Sequence, residues 1–211
     1  RVIHTGDFKI DTTPIDDYVI DIGKFAEYGS KGVLALLADS TNAERPGYTA
    51  SERLVGGSFS NLFKKAEGHR IIVATFSSNI HRIQQIIDEA ARCSRKVAVS
   101  GRSMLNVVNV AAQLGYLNVP ENVLIDVSDI NNYMPGEIVV VTTGSQGEPL
   151  SALHRIAFSD HRQIEIIPGD MIIISATPIP GNEKLVSKVI NELMKLGAEV
   201  IYESMYEVHV S

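Results

Sequence analysis

Residues 71–92 read IIVATFSSNIHRIQQIIDEAAR, and this stretch decides the fold class. Its first six residues are almost all apolar or β-branched, which is typical of a strand covered on both faces of a sheet. After a short polar turn, apolar side chains recur at the three- and four-residue spacing of a helix that packs along one face. A buried strand, a short turn and an amphipathic helix form the repeating half of a parallel α/β sheet.

The same alternation continues through most of the chain. Further strands are predicted at residues 33–37, 96–99, 137–142, 171–176 and 199–202, and further helices at 51–65, 104–114, 150–158 and 182–196. Strands that alternate with helices predict right-handed crossovers. The expected fold is therefore α/β, a doubly wound, mainly parallel sheet with helices on both faces. Residues 1 to about 30 are less regular, and we expect them to belong to a neighbouring layer.

Composition limits the class of protein. The chain has 211 residues, of which 45% are hydrophobic, and a net charge of -6. It shows no signal peptide and no apolar run near the roughly 20 residues that span a bilayer, so no membrane partner is expected. The single cysteine, Cys93, has no second cysteine to pair with, and we expect a cytoplasmic location. The acidic balance argues against nucleic-acid binding over the whole surface and leaves a local basic groove open.

Short polar turns follow the predicted strands. They comprise residues 39–42, 77–79, 101–103, 143–149 and 177–183, and they are rich in Gly, Ser and Asn. Any one of them is explained by ordinary turn and cap formation. Because ligands of parallel sheets bind beyond the carboxyl ends of the strands, and helix starts bind anions, the set together favours a phosphate-bearing ligand. A nucleotide, a cofactor and RNA all remain open at this point.

Seven stretches carry a resemblance to a known family. They are HTGDFK (4–9), ADSTNAERPG (38–47), ATFSSNIHR (74–82), GRSM (101–104), TTGSQGEP (142–149), PIPGNE (178–183) and HVS (209–211). In this order they resemble the ribonuclease J family, in the β-CASP branch of the metallo-β-lactamase-fold nucleases. The resemblance covers essentially the whole chain.

The resemblance implies a domain organisation. In that family the β-CASP domain is inserted into the metallo-β-lactamase domain. We therefore expect residues 1–30 to be an edge segment of the metallo-β-lactamase domain and linker, 31–205 to be the β-CASP domain, and 206–211 to begin the return strand. The chain opens and closes on strand-like runs and has no His-x-His-x-Asp-His cluster, so we expect a segment of a longer protein that is inactive alone.

The resemblance also implies roles for three residues. Asp7 corresponds to a carboxylate that bridges two divalent metal ions in the parent protein, zinc being expected and manganese or magnesium being alternatives. Asp39 corresponds to the acid of motif A. His209 corresponds to the histidine of motif B, which assists the leaving group; imidazole suits that task because its pKa lies near the working pH and a carboxylate such as Asp39 can orient it. No metal is expected to be bound by this chain alone.

RNA or phosphate contacts are predicted at the polar turns. The candidates there share a hydroxyl, amide, cationic group or bare backbone beside a helix start: Ser77, Ser78, His81, Arg82, Arg102, Ser145, Gln146 and Gly147. Ser211, at the end of the HVS stretch, is a further predicted contact.

Two functions of different classes follow. The first is the RNA-binding β-CASP portion of a metal-dependent ribonuclease with endonuclease and 5′-to-3′ exonuclease activity, which acts on single-stranded RNA in a homo-oligomeric parent. The alternative is a nucleotide- or cofactor-binding α/β module without hydrolytic activity. Against the alternative, no Gly-x-Gly-x-x-Gly or Walker Gly-Lys-Ser/Thr sequence follows any predicted strand. A His-x-His-x-Asp-His sequence upstream in the parent would decide between them.

Overall fold

A computed structural model of the chain describes residues 1–41, 43–44 and 46–210. The contacts divide these residues into two compact units. The smaller unit holds residues 1–54 and Val210, and the larger unit holds residues 55–209. The division near residues 30 and 205 that the sequence suggests stays a prediction about the parent protein.

The smaller unit contains one helix and a two-stranded parallel sheet. Strand β1 (Val2–His4) pairs with β2 (Ala35–Leu37), with Ile3 opposite Leu36, and helix α1 (Ile22–Ser30) connects them. Asp21 caps α1, because its carboxylate accepts a hydrogen bond from the Lys24 amide at 2.9 Å. The sequence did not predict α1, whereas β1 forms within the strand-like run at the start of the chain. It also placed residues 33–37 in the main sheet, which is wrong, because β2 pairs with β1 and is exposed.

The larger unit contains a six-stranded sheet in the order β5-β4-β6-β3-β7-β8, and every neighbouring pair is parallel. Helix α2 (Arg53–Lys65) leads from the smaller unit into it. The strands are β3 (Ile71–Ala74), β4 (Lys96–Ser100), β5 (Leu124–Ile125), β6 (Ile138–Thr142), β7 (Met171–Ile174) and β8 (Glu199–Ile201), and the helices are α3 (Ile80–Arg92), α4 (Arg102–Gln113), α5 (Ala152–Ala157) and α6 (Glu183–Lys195). Short 3-10 helices at Val127–Asn132 and Pro135–Glu137 precede β6. The predicted α/β class with a parallel sheet is confirmed.

The core covers both faces of this sheet. On one face, Ile72, Val140 and Ile172 belong to a buried cluster that includes side chains of α5 and α6. Their neighbours along the strands point to the opposite face, and they are also fully buried. Burial on both faces requires apolar residues at every strand position, which explains the uninterrupted runs in the sequence.

The strand order brings two oppositely directed connections together at one place. The chain leaves β3 toward β4 and leaves its neighbour β7 toward β8, on the other side. In doubly wound sheets, ligands bind beyond the carboxyl ends of the strands at such a point. The residues after these strands, and after β4 and β6, lie at the same edge of the sheet.

Among the helices of residues 1–41, 43–44 and 46–210, none combines the length and apolarity that crossing a membrane requires.

Candidate functional site

Asp7 and Asp39 line one open cleft of about 790 Å³ in the smaller unit. They meet there because β1 and β2 are parallel, so the residues after both strands emerge at the same end. Two hydrogen bonds join the segments that follow β1 and β2. The Thr5 amide donates to the Leu37 carbonyl at 3.0 Å, and the Asp39 amide donates to Thr5 Oγ1 at 3.2 Å. Two candidate residues that lie far apart in sequence are thus brought to one surface.

The Asp39 carboxylate is held ionised by its own turn. Its Oδ1 accepts hydrogen bonds from Thr41 Oγ1 at 2.7 Å and from the Thr41 amide at 3.0 Å. These bonds hold the pKa of the Asp39 carboxyl below its ordinary value, with smaller contributions from the backbone of Ser40 and Phe8. An anionic oxygen in this position can orient an imidazole or attract a cation.

Lys9 lines the same cleft, and sequence reasoning did not single it out. Its ammonium nitrogen is buried and has no hydrogen-bond partner among the residues that the structure describes. A buried ammonium is costly unless an anion neutralises it. The only signal in the sequence was its place in the HTGDFK stretch, two residues after Asp7.

These side chains do not complete a metal centre. Within residues 1–41, 43–44 and 46–210, no group of three or more His, Cys, Asp or Glu side chains could hold a metal ion. A catalytic zinc takes about three protein ligands. The described residues alone therefore do not fit a two-metal site, and Asp7 fits only as one contributed ligand.

In the larger unit, four predicted RNA contacts are accessible beyond the carboxyl edge of the sheet. Ser77 is half-buried after β3, whereas Ser78, His81 and Arg102 are exposed. Asn79 caps α3 by accepting a hydrogen bond from the Arg82 amide at 3.0 Å, which fixes the turn that carries the two serines. All four therefore present some surface to solvent at this edge of the sheet.

Gly101 places Arg102 at the start of α4. Its φ is +108°, and a Cβ there would lie 2.9 Å from Thr143 Oγ1. The turn after β4 can therefore lie directly against the turn after β6 only with glycine at this position.

Ser145, Gln146 and Gly147 require a correction, because all three are buried. The Gln146 side chain donates to the Thr177 carbonyl at 2.9 Å and accepts from the Ile179 amide at 2.7 Å. A Cβ on Gly147 would lie 2.6 Å from the backbone of Leu185 in α6. These residues join the turn after β6 to the segment after β7, and their side chains are not presented to RNA.

Arg82 also requires a correction, because its side chain is fully buried and not exposed at the helix start. Its Nη1 donates to the Val208 carbonyl at 2.5 Å and to the Ser175 hydroxyl. The guanidinium is therefore directed into the protein, and a direct contact with phosphate is not available to it in this arrangement.

His209 is half-buried and directly follows the buried Val208. Asp39 and His209 belong to different compact units, so their pairing in the parent stays a prediction. Ser211 lies outside the residues that the structure describes.

Known proteins resemble the whole chain. A family model described as "Ribonuclease J, beta-CASP domain" matches residues 68–193, more than half of the sequence. Ribonuclease J of Helicobacter pylori (strain ATCC 700392 / 26695) is 50% identical over 210 residues, which cover 100% of this chain and 30% of that protein. Ribonuclease J of Thermus thermophilus is 48% identical and ribonuclease J2 of Bacillus subtilis is 47% identical, with 36% and 38% of their lengths covered.

The chain thus spans about a third of the length of the curated relatives that it matches. The family match lies within the larger unit and covers strands β3 to β7, helices α3 to α5 and most of α6. By its sequence and its fold, the chain belongs to the ribonuclease J family and contains the β-CASP domain of that family.

Proposed function

We propose that this chain is the RNA-binding portion of a metal-dependent ribonuclease that hydrolyses phosphodiester bonds. The observation that carries the proposal is the position of Asp7 and Asp39 on one cleft at the ends of two parallel strands. In a nuclease, two carboxylates at one surface serve metal ligation and proton management, which are separate tasks. We assign Asp7 to the first task and Asp39 to the second.

The proposed reaction is a displacement at phosphorus. The oxygen of a water molecule forms a bond to phosphorus and loses one proton to solvent, the bond to the leaving oxygen breaks, and the leaving oxygen takes a proton from His209, which solvent then reprotonates. In the full-length parent we assign to Asp39 the task of orienting the imidazole of His209 and stabilising its cationic form. Two divalent metal ions, when bound, would lower the pKa of water and stabilise charge on the phosphate. Of this chain's residues we assign only Asp7 to them, and the other ligands would come from the rest of the parent.

Exposed apolar side chains in the smaller unit support the proposal that another domain of the parent covers them. Leu34 is 87% exposed and Leu36 is 61% exposed, although both lie in or beside β2. Two strands alone are only marginally stable in water. We propose that the metallo-β-lactamase domain of the parent covers this apolar surface.

The substrate we propose is single-stranded RNA. Ser77, Ser78, His81 and Arg102 would contact its phosphates at the edge of the six-stranded sheet. The net charge of -6 implies that this contact is local and modest in affinity. We further propose endonuclease and 5′-to-3′ exonuclease activity, a homo-oligomeric parent and a cytoplasmic location.

The test is the Asp39→Asn variant of the full-length protein, in which metal content and RNA cleavage are measured on one preparation. We expect the metal to be retained and the cleavage rate to fall by about 10²-fold or more, because orientation of a proton donor is lost and ligation is not. Asp126→Asn is the matched control. Asp126 Oδ1 accepts from the amide and hydroxyl of Ser128 at 2.8 and 2.6 Å, the same local geometry as Asp39 with Thr41.

Two results would contradict the assignment. Loss of metal together with activity would make Asp39 a ligand or a structural residue. Full retention of cleavage would remove it from the mechanism.

A further inference from the structure

The carbonyl of Val208 is held by two donors, one in helix α3 and one after strand β7. It accepts a hydrogen bond from Arg82 Nη1 at 2.5 Å and another from Ser175 Oγ at 2.5 Å. Arg82 Nη1 also donates to Ser175 Oγ, so the three groups form a closed triangle. Each of the three residues is 0% exposed.

The two donors are themselves fixed. Arg82 lies in the first turn of α3, and its guanidinium lies 5.9 Å from the centre of the Phe59 ring. Ser175 follows β7, and its amide donates to the Ala74 carbonyl of β3 at 2.8 Å. The triangle therefore lies beyond the carboxyl ends of β3 and β7, the side of a doubly wound sheet on which ligands bind.

Burying a guanidinium is expensive, so its place in the fold needs a compensating contact. One such contact is a charge-assisted bond to a carbonyl that is 126 residues away in sequence. The carbonyl belongs to the segment that carries His209. The peptide bond is planar, so fixing the Val208 carbonyl also fixes the amide nitrogen and Cα of His209.

We propose that Arg82 and Ser175 are positioning residues that hold the His209 imidazole in place through the carbonyl of Val208. This inference rests on the proposed role of His209 as the proton donor to the leaving oxygen. Proton transfer depends steeply on geometry, and a displacement of about 1 Å can cost on the order of 10²-fold in rate. Arg82 and Ser175 act without touching the substrate.

The experiment compares two RNA substrates in single-turnover cleavage by the full-length protein. One substrate has the natural leaving oxygen at the scissile bond, and the other has sulfur in its place. A thiol has a pKa of about 8.5, so a thiolate leaves without a proton donor. A variant that impairs proton donation should therefore cleave the oxygen substrate more slowly and cleave the sulfur substrate at a nearly unchanged rate.

Ser175→Ala removes one donor and leaves Arg82 in place. We expect the rate on the oxygen substrate to fall roughly fivefold, the equivalent of one neutral hydrogen bond, with little change on the sulfur substrate. Ser175→Cys keeps the size with a weaker donor and should give a smaller loss of the same kind. Ser100→Ala is the matched control, because Ser100 is also a buried serine, 3% exposed, at the carboxyl end of another strand of the same sheet, β4. Its hydroxyl pairs with His161 and makes no contact with Val208. This control should leave both rates unchanged.

His209→Ala distinguishes a failure of the proposed role of His209 from a failure of the positioning role of Arg82 and Ser175. It should slow the oxygen substrate by about 10²-fold or more and spare the sulfur substrate. If it does not, the proposed function of His209 fails. If His209→Ala behaves as expected and Ser175→Ala or Ser175→Cys slows neither substrate, or slows both equally, the positioning role alone is overturned.

Discussion

The carboxylate of Asp170 accepts two parallel hydrogen bonds from the guanidinium of Arg70. The distances are 3.1 Å from Nε to Oδ1 and 2.6 Å from Nη2 to Oδ2, and the side chains are 9% and 0% exposed for Arg70 and Asp170. Asp170 also accepts from the Ile167 amide at 3.0 Å. The pair lies immediately before β3 and β7, so it joins their amino ends, at the edge of the sheet opposite the proposed RNA contacts.

Asp170→Asn should strongly destabilise the chain. The substitution keeps the shape and leaves the Arg70 charge buried without its counter-ion, which costs about 3–5 kcal/mol of unfolding free energy. Glu199→Gln is the control, because it breaks the Lys65–Glu199 pair, whose side chains are 47% and 46% exposed. That pair should contribute about 1 kcal/mol or less. Urea unfolding measures both, and equal losses would contradict the prediction.

Gly101→Ala should destabilise more than Gly181→Ala. Both glycines have positive φ, +108° and +100°, so both substitutions pay about 1–2 kcal/mol of backbone strain. Only at Gly101 does the new methyl meet a neighbour, Thr143 Oγ1 at 2.9 Å, whereas nothing lies within 4 Å at Gly181. Crowding adds about 1–3 kcal/mol. Thermal or urea unfolding of the two variants checks the order of their stabilities. A reversed order would contradict the close approach of the turns after β4 and β6.

His161 should make the chain less stable in mild acid. Its Nδ1 accepts from the amides of Gln163 and Ile164, so Nε2 carries the proton and donates to Ser100 Oγ at 3.0 Å. Burial, with the nearby Arg155 charge, lowers the pKa of His161 below 6.5. The unfolded chain then binds a proton at His161 more readily than the folded chain does. The contribution of neutral His161 to the free energy of unfolding is therefore fully present above pH 6.5 and is lost as the pH falls from 6.5 toward the folded pKa.

His161→Gln should remove that dependence. Urea midpoints measured from pH 7.5 to 5 should decline in the unsubstituted 211-residue chain, and they should decline less in the variant. An identical decline in both would assign the effect to other groups.

Arg102→Ala should weaken binding of single-stranded RNA to the 211-residue chain. Loss of one phosphate contact should also reduce the slope of log affinity against log salt by about 0.7. Arg162→Ala is the control, because Arg162 is an exposed arginine that lines a cavity with Arg70 and Ile138 at the amino edge of the sheet. Titrations that fall equally for both variants would indicate nonspecific attraction, and unchanged titrations would place the groove elsewhere.

The 211-residue chain should bind no stoichiometric zinc or manganese. Its described residues contain no cluster of three or more metal-ligating side chains, and Asp7 alone is a weak ligand. Elemental analysis of the purified chain and of Asp7→Ala checks this. Near-equimolar metal that disappears in the variant would show that the site is more complete than we propose.

The sequence by itself determined the fold class and the family. Helix α3 begins and ends where its apolar spacing predicts, at Ile80 and Arg92. The buried face of an amphipathic helix appears in the sequence as apolar residues three and four positions apart. The five predicted strands at residues 71–202 form because strands covered on both faces need continuous apolar residues. The two-residue strand β5 carries too short a pattern to be predicted.

Only the tertiary structure decided which way several site residues face. Arg82 follows a capped helix start, and from its neighbours alone a guanidinium there suits a phosphate as well as a carbonyl. The carbonyl that accepts from it lies 126 residues away, in a segment with no local relation to α3. Gln146 likewise bonds to residues after another strand, and β2 pairs with β1 instead of the main sheet. These outcomes depend on which distant backbone groups the folded chain brings within hydrogen-bond distance, and local periodicity does not contain that information.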